Sequence, residues 1–376
     1  MSMRTLKDLG KIVTGNTPKM SERENFDSAD IPFIKPGDIS DDSITVINKG
    51  QFFISENARD KARILPSDSI LVTCIGIIGK VGILTREAAF NQQINGIVPD
   101  INSVIPRYLA YAILSQKSYL QEKANAAVVP IINKSQFSEL KVEVPNLQKQ
   151  NEIVRNLDKV DHLISLQKQQ LKGLDELVKS RFVELFGNPV INQKRFPVKQ
   201  VGDVIDFIGG SQPPKNVFEY TPTEENIRLI QIRDYRTDKY KTYIPRKLAK
   251  RFCTADDIMI GRYGPPIFQI LGGIEGSYNV ALMKAVPKMG NREFIRWFLK
   301  QECLLHYLEG MSKRTAGQDG IQMDKLKKYP FPYPPIELQN QFANFAKQLD
   351  KSKLAVQKSL DELEILKKSL MQQYFG

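Results

Sequence analysis

Apolar positions between residues 148 and 185 follow an alternation of four and three residues. They fall at 153, 157, 160, 164, 171, 174, 178 and 185, with Gln167 and Arg181 filling the two gaps. This spacing is typical of the a/d seam of a coiled coil, and no proline interrupts the segment. The pattern therefore predicts one long helix whose apolar stripe needs a partner.

The end of the chain repeats this stretch. Residues 144–187 align without a gap with residues 333–376, at an offset of 189 residues, the difference between 376 and 187. The second copy carries the same seam, at Phe342, Ala346, Leu349, Lys353, Val356, Leu360, Leu363, Lys367, Leu370 and Tyr374. Two helices in the same register are expected to cover each other as an antiparallel coiled coil with pseudo-two-fold symmetry. The alternative is two separate helices, each packed on its own domain.

The segments before the two helices contain short apolar runs broken by Gly and Pro. In the first, IPFIKPGDI, SILVTCIGIIGKVGIL and NGIVPD indicate strands, and residues 105–123 change to helical spacing. The second repeats the scheme at an offset of 188, where Ile70, Gly76, Asn91 and Pro99 meet Ile258, Gly264, Asn279 and Pro287. We expect an α+β fold built twice, with domains at 1–146 and 188–335 and spacer helices at 147–187 and 336–376.

Composition and charge narrow the class of protein. The net charge of +12 over 376 residues suggests a polyanionic partner, first of all nucleic acid, with solvated lysines as the alternative. The sequence contains no run of 18 or more apolar residues, so no membrane-spanning helix is predicted. The N-terminal sequence has no apolar run of signal-peptide length, which favours the cytoplasm. Cys74, Cys253 and Cys303 form no CxxC pair and are expected to be reduced.

Catalytic motifs are mostly missing. There is no GxxxxGK[ST] loop, no HExxH and no Asn/Asp-Pro-Pro-Tyr/Phe box, and His162 and His306 lack partners at metal spacing. Pro99-Asp100 followed by Glu139-Leu140-Lys141 resembles a PD…ExK nuclease, but the long interval and the Ile-Pro-rich context argue against it. We expect a binding protein without catalytic residues, cofactor or metal of its own.

Polar side chains set among Gly, Pro and Ser are the candidates for DNA contact. Arg and Lys can donate to guanine edges or to phosphates, and Asn and Gln can bond adenine. The candidates in the first domain are Thr17, Lys35, Asp38, Lys80, Asn91, Gln92, Lys134 and Ser135. Those in the second are Gln212, Lys215, Gln231, Arg233, Arg262, Tyr263, Asn279, Lys313, Arg314 and Gln318. Holding a turn is the alternative role of the matched pair Asn91 and Asn279. Arg233 and Arg262, in parts of the repeat that do not match, are favoured for reading sequence.

Two non-identical α+β domains, each followed by a long helix, resemble the specificity subunit of type I restriction–modification systems over essentially the whole chain. The most specific marks are the P-x-x-x-x-Q-N phrases at Pro145–Asn151 and Pro334–Asn340 and the Phe-Gly pair that closes each helix segment. The Gly-x-x-Pro turn at Gly15–Pro18 fits as well, and its counterpart GGSQPP is longer.

The resemblance implies target recognition domains that each read one half of a bipartite double-stranded DNA sequence. It also implies that the helices dock two modification subunits, which bring S-adenosylmethionine and methylate adenine N6. Restriction subunits that bring ATP can join them, and none of these cofactors would be bound by this chain. A stand-alone DNA-binding regulator and a self-sufficient nuclease or methyltransferase remain the alternatives. The shared helix register further predicts that residues 1–187 alone form a symmetric homodimer.

Overall fold

The computed structural model describes residues 2–41, 43–124, 129–263, 267–312 and 321–376, except for the side chains of Met311 and Ser312. The chain divides into two compact units. Unit 1 comprises Met1–Gln170 and Val356–Gly376, and unit 2 comprises Leu171–Ala355.

Unit 1 contains one complete α+β domain. Its strands are β1 Ser2–Thr5, β2 Gly10–Thr14, β3 Ile31–Ile34, β4 Thr45–Ile47, β5 Phe52–Ile54, β6 Ile64–Leu65, β7 Ile70–Thr73, β8 Val81–Leu84, β9 Ala88–Phe90, β10 Ile94–Pro99 and β11 Lys141–Val144. Its helices are α1 Leu6–Leu9, α2 Pro106–Ser115, α3 Lys117–Ala124 and α4 Lys134–Ser138, and the long helix α5 Leu147–Phe186 begins in this unit.

The strands of unit 1 form a five-stranded sheet in the order β2-β10-β7-β8-β4, a four-stranded sheet β5-β3-β9-β6 and the pair β1-β11. The β3–β9 and β4–β8 pairs are parallel, and the others are antiparallel. Helix α2 begins at Pro106, where the missing N–H of proline costs no helical hydrogen bond. Its Tyr108, Leu109 and Tyr111 are buried in the same core as Ile70 of the larger sheet.

Unit 2 has its own domain with the same kinds of elements. Its strands are β12 Val198–Gln200, β13 Ile205–Gly209, β14 Asn226–Ile230, β15 Tyr243–Pro245, β16 Phe252–Cys253, β17 Ile258–Gly261, β18 Gln269–Leu271, β19 Gly276–Tyr278, β20 Leu282–Pro287 and β21 Pro330–Pro332. Its helices are α6 Val201–Val204, α7 Arg292–Leu299, α8 Glu302–Ser312 and α9 Met323–Lys328, and the long helix α10 Ile336–Phe375 begins here.

The sheets of the two units have corresponding strand orders. The orders β13-β20-β17-β18, β15-β14-β19-β16 and β12-β21 in unit 2 repeat β2-β10-β7-β8, β5-β3-β9-β6 and β1-β11 in unit 1. The parallel pair recurs as β14–β19. Within the described ranges, β4 is the one strand of unit 1 without a counterpart. The predicted α+β class and the predicted internal repeat are therefore confirmed.

The two long helices, 40 residues each, contact one another within both units. In unit 1, Asn156 Nδ2 donates to Tyr374 Oη at 3.0 Å. In unit 2, the rings of Phe182 and Phe342 meet edge to face with their centres 5.3 Å apart. Because a later residue of α5 meets an earlier residue of α10, the contacts agree with antiparallel pairing.

Cys74 and Cys253 are buried free thiols, and Cys303 is a half-buried one. Burial raises the pKa of Cys74 to about 12 and that of Cys253 to about 11, which keeps both thiols protonated at neutral pH. In the part of the chain that the structure describes, no helix has both the length and the apolar character needed to cross a membrane.

Candidate nucleic-acid interface

In unit 1, the turn that follows β2, at Gly15, contacts the turn between β9 and β10, at Asn91. The N–H of Gly15 donates to the carbonyl of Ile94 at 3.0 Å. A Cβ at Gly15 would lie 2.2 Å from the carbonyl oxygen of Asn91, so the turn requires glycine. Beyond it, the hydroxyl of Thr17 donates to Gln92 Oε1 at 2.7 Å, and both side chains are exposed. The sequence-predicted pair Thr17 and Gln92 thus comes together at the surface.

Unit 2 builds the same turn at the end of β13. The N–H of Gly210 donates to the carbonyl of Leu282 at 3.0 Å, and a Cβ there would lie 1.9 Å from the carbonyl oxygen of Asn279. Gly210–Pro213 has the same Gly-x-x-Pro spacing as Gly15–Pro18. The expectation of a longer second turn was wrong, because the matching glycine is the second of the Gly-Gly pair.

Asn91 and Asn279 hold equivalent turns. Asn91 Oδ1 accepts the N–H of Gln93 at 3.2 Å, and Asn279 Oδ1 accepts the N–H of Ala281 at 3.2 Å. A side-chain oxygen bonded to the backbone two residues ahead is a common way of fixing a turn. The turn-holding alternative therefore accounts for both residues, and their carboxamides support the framework of the surface.

A second framework turn follows β3 and β14. The carboxylate of Asp38 accepts the backbone N–H of Lys35 at 2.8 Å and that of Gln51 at 3.0 Å. Asp234 accepts the N–H of Gln231 at 2.9 Å in the matching place, and burial raises the pKa of this carboxyl. With both oxygens engaged and a negative charge, Asp38 is suited to shaping the turn, whereas phosphate would be repelled by it.

Lys80 is a weaker candidate for phosphate contact than its charge suggested. Its side chain is 10% exposed, and its ammonium lies 3.4 Å from a carboxylate oxygen of Asp41. Lys117 approaches the other oxygen of the same carboxylate at 3.5 Å. Sequence alone could not show that Lys80, at the start of a buried strand, is covered and paired.

The matched framework carries different side chains in the two units. The N–H of Cys74 donates to Gln93 O at 2.7 Å, and that of Arg262 donates to Ala281 O at 2.9 Å, which makes positions 74 and 262 equivalent. The matching turns at Gly15 and Gly210, and those at Asp38 and Asp234, align further positions of the two units. The resulting pairs are Thr17 with Gln212, Gly37 with Arg233, Cys74 with Arg262 and Gln92 with Val280. Arg233 therefore occupies the backbone position of Gly37, and Arg262 occupies that of Cys74. The side chain changes at both positions while the backbone position is kept.

Arg233 and Arg262 both lie among polar neighbours. Arg233 Nη2 and Gln231 Nε2 both donate to the hydroxyl of Thr242 at 3.0 Å. Arg262 lies over the ring of Tyr263, with its guanidinium carbon 5.4 Å from the ring centre. Thr242 was missed by sequence reasoning, since nothing in its local pattern distinguishes this buried threonine from a core residue.

Unit 1 has a cavity of about 370 Å³ beside the Lys35 turn. The ammonium of Lys35 lies 3.3 Å from the centre of the Phe52 ring, a cation–π contact. Phe52 and Ile77, which both line the cavity, are 47% and 51% exposed. Their exposure was not foreseen, because an apolar residue in or near a strand is normally assigned to the core.

The remaining candidates have fewer structural contacts. Lys134 and Ser135 are exposed in the first turn of α4, and Gln212 and Lys215 are exposed in the loop after β13. Lys313, Arg314 and Gln318 lie outside the described residues.

Two of the candidate nuclease residues, Asp100 and Glu139, are engaged in separate contacts. Asp100 accepts the hydroxyl of Ser103 at 2.7 Å, and Glu139 forms an ion pair with Lys7 at 2.5 Å. In the described ranges, no group of three or more His, Cys, Asp or Glu side chains is arranged to hold a metal ion.

Known proteins share this organisation. The family model described as type I restriction modification DNA specificity domain matches the chain twice, at residues 1–176 and 193–364. The chain belongs to this family. The two matches correspond to the two repeats found in sequence and fold.

Individual relatives agree. The putative type I restriction enzyme MjaX specificity subunit of Methanocaldococcus jannaschii is 25% identical over 98% of this chain and 91% of its own length. The MjaIX specificity subunit of the same organism is 29% identical over 61% of this chain. The HindI specificity subunit of Haemophilus influenzae is 33% identical over 38% of this chain. The chain spans 56% and 32% of the lengths of these last two relatives.

Solved structures share the fold. The type I restriction-modification S subunit from M. genitalium matches 100% of this chain and 96% of its own, with a TM-score of 0.58 at 16% identity. A chain from a structure on complex assembly and conformational transition of the type I R-M system matches 99% of this chain and 97% of its own, with a TM-score of 0.51 at 15% identity.

Proposed function

We propose that this chain is the DNA-specificity subunit of a type I restriction–modification complex and that each unit reads one half of a bipartite target. The observation that carries the proposal is the shared framework with exchanged side chains. Both units keep the same glycine and asparagine turns, while the side chains that these turns present differ in chemistry. One backbone geometry with two sets of donors suits two different half-sites.

The proposed DNA contacts are of two kinds, to base edges and to phosphates. Arg233 and Arg262, with Gln212, are the residues of unit 2 that we assign to base edges, because arginine and glutamine can make paired hydrogen bonds there. In unit 1 we assign this role to Thr17, Gln92 and Lys35. Exposed Lys134 and Lys215 suit phosphates, which position a protein without reading sequence. The net charge of +12 supports such contacts.

The relatives, which are named specificity subunits of type I restriction enzymes, support a proposal about partners. We propose that the paired long helices dock two modification subunits and that restriction subunits can join the complex. In this arrangement the partners supply S-adenosylmethionine, ATP and the chemistry, and this chain supplies recognition. We propose that the complex acts on DNA in the cytoplasm.

Methylome sequencing of cells with and without the gene tests the function. We expect adenine methylation at one bipartite motif to disappear in the deletion and to return with the plasmid-borne gene. A plasmid that carries Arg262→Ala should restore methylation at an altered motif or at a reduced level. If no methylation depends on the gene while the purified chain binds a specific DNA sequence, the stand-alone regulator is correct. Methyl transfer or cutting by the isolated chain would establish the self-sufficient enzyme.

A further inference from the structure

A charged network joins α10 to the domain of unit 1. Tyr111 Oη lies 2.7 Å from Asp158 Oδ1 and 2.8 Å from Asp161 Oδ2. Arg107 Nε donates to Asp158 at 2.8 Å, and Lys367 Nζ lies 2.6 Å from Asp161. The network therefore contains two cations and two carboxylates around one hydroxyl. Asp161 and Lys367 have side chains only 17% and 14% exposed, so each charge depends on its partner.

The corresponding place in unit 2 has different chemistry. The repeat offset of 189 residues equates Lys367 of α10 with Val178 of α5, and Met371 with Phe182. Val178 and Phe182 are fully buried in unit 2. Phe182 packs against the ring of Phe294, with ring centres 5.8 Å apart. The ends of α5 and α10 share one sequence register, and both pack apolar side chains on the core of their unit. At the matching positions 178 and 367, however, unit 2 has a buried valine and unit 1 has a buried ion pair.

We propose that the Asp161–Lys367 pair selects α10, and rejects a second copy of α5, as the helix that packs on unit 1. In a self-paired α5, Val178 of the second copy would take the place of Lys367. Asp161 would then be buried opposite a valine, and the network would keep two carboxylates with Arg107 as the one cation among its members. Removing one partner of a buried pair is strongly unfavourable, because the remaining charge has lost both water and its counter-ion.

A second ion pair between the helices is also lost on self-pairing, because Lys353 lies 2.6 Å from Asp175 and the repeat offset equates Lys353 with Ile164. Asp175 is 61% exposed, so its charge would stay hydrated and this loss costs less. A third ion pair would be kept. Lys168 lies 3.1 Å from Glu364, and the repeat offset equates Glu364 with Asp175. In a self-paired α5, Lys168 would therefore meet Asp175 of the second copy, and its ion pair would be kept. Selection rests on Asp161. The homodimer that the shared apolar register predicts for residues 1–187 is accordingly weaker than the register alone implies. This inference does not depend on the proposed DNA function.

The test starts from the folded full-length protein. A protease site placed in the linker at residues 188–196 allows the chain to be cut while α5 and α10 are already paired. Native mass spectrometry after long incubation then separates the mixed pair from the two self-pairs by mass. For the wild type we expect the mixed pair to exceed the self-pair of the N-terminal half by at least about tenfold, the ratio that corresponds to one lost interaction of about 1.4 kcal/mol.

Two variants make the test decisive. Asp161→Asn removes the charge that is unpaired in the self-pair and also removes the partner of Lys367, so the share of the N-terminal self-pair should rise by at least about tenfold. Lys367→Gln should shift the distribution in the same direction by weakening the mixed pair alone. Asp161→Glu, which keeps the charge, and Glu362→Gln, which removes an exposed ion pair with Lys358 on α10, should leave it unchanged. An unchanged distribution in both Asp161→Asn and Lys367→Gln, with native circular dichroism, would overturn the proposal.

Discussion

The side-chain oxygen of Gln150 accepts the backbone N–H of Ile105 at 2.8 Å. Its amide nitrogen donates to the carbonyl of Pro145 at 2.8 Å. Gln339 makes the same two bonds, from Asn291 N–H and to Pro334 O, each at 2.8 Å. Both glutamines are fully buried. The glutamine of each P-x-x-x-x-Q-N phrase thus ties the start of a long helix to the residue that precedes α2 or α7.

Replacement of Gln150, whose side chain bonds Ile105 and Pro145, should destabilise the protein. Gln150→Met keeps the volume but leaves the buried N–H of Ile105 without its acceptor, so we expect a loss of about 1–3 kcal/mol in the free energy of unfolding. Urea denaturation followed by circular dichroism measures it. Gln148→Met, at an exposed position of the same helix, is the control and should change stability by less than about 0.5 kcal/mol. Equal stability of the two variants would show that these bonds of Gln150 contribute nothing.

Gly173 should be replaceable with a gain. It lies within α5, and a Cβ built on it meets no atom within 4 Å. Gly173→Ala should therefore raise the free energy of unfolding by about 0.5–1 kcal/mol, because alanine loses less backbone entropy in a helix. Gly187→Ala is the opposing control, since Gly187 follows α5 at φ +70° and alanine would be strained there. Thermal unfolding of both variants should give shifts of opposite sign.

Arg262 and Lys134 should affect DNA binding differently. Arg262→Ala should lower affinity for the cognate half-site of unit 2 by about 1–3 kcal/mol and relax the base preference there, if the arginine bonds a base edge. Lys134→Ala should weaken all sequences alike and lower the slope of log affinity against log salt by about 0.9. Fluorescence anisotropy on single-base variants of the target, over a salt series, measures both effects. Sequence-neutral behaviour of Arg262→Ala would exclude a reading role for it.

The stability of unit 2 should carry a pH dependence from Asp234. Burial raises the pKa of this carboxyl above its usual value of 3.8, so the folded state binds its proton more tightly than the unfolded state. Its contribution to stability therefore falls as pH rises from about 4 through the raised pKa. Asp234→Asn keeps an oxygen for the N–H of Gln231 and removes the charge. We expect this variant to gain stability relative to the wild type as pH rises from 4 to 7 in urea denaturation, and a constant difference would contradict the assignment.

Local periodicity was enough to predict much of the fold. The four-three spacing around Leu157 and Leu174 identified α5, and the same spacing identified α10, because a helix buries the side chains that recur on one face. The runs at Ile31 and Ile70 identified strands for the equivalent reason in a sheet. Since the helix signal repeats at an offset of 189 residues and the Ile70 run at an offset of 188, the sequence by itself also determined that the fold is built twice.

The chemistry of the candidate interface depended on contacts between distant segments. Lys80 was a candidate for DNA by residue type, and the approach of Asp41 makes it a paired side chain. Asp38 became a framework residue because Gln51, in a different segment, donates to it. Such pairings depend on how strands and turns stack, which periodicity does not encode.

The helix seam shows the same division. The sequence identified Lys367 as a polar residue at a seam position of α10, and a buried ammonium requires a counter-charge. Only the tertiary structure decided that the counter-charge is Asp161, held in turn by Tyr111, whereas the matching seam position in α5 is a valine. Apolar spacing determines that two helices can pair. The partners of buried charges determine which two do so, because each charge requires an opposite one within a few ångströms.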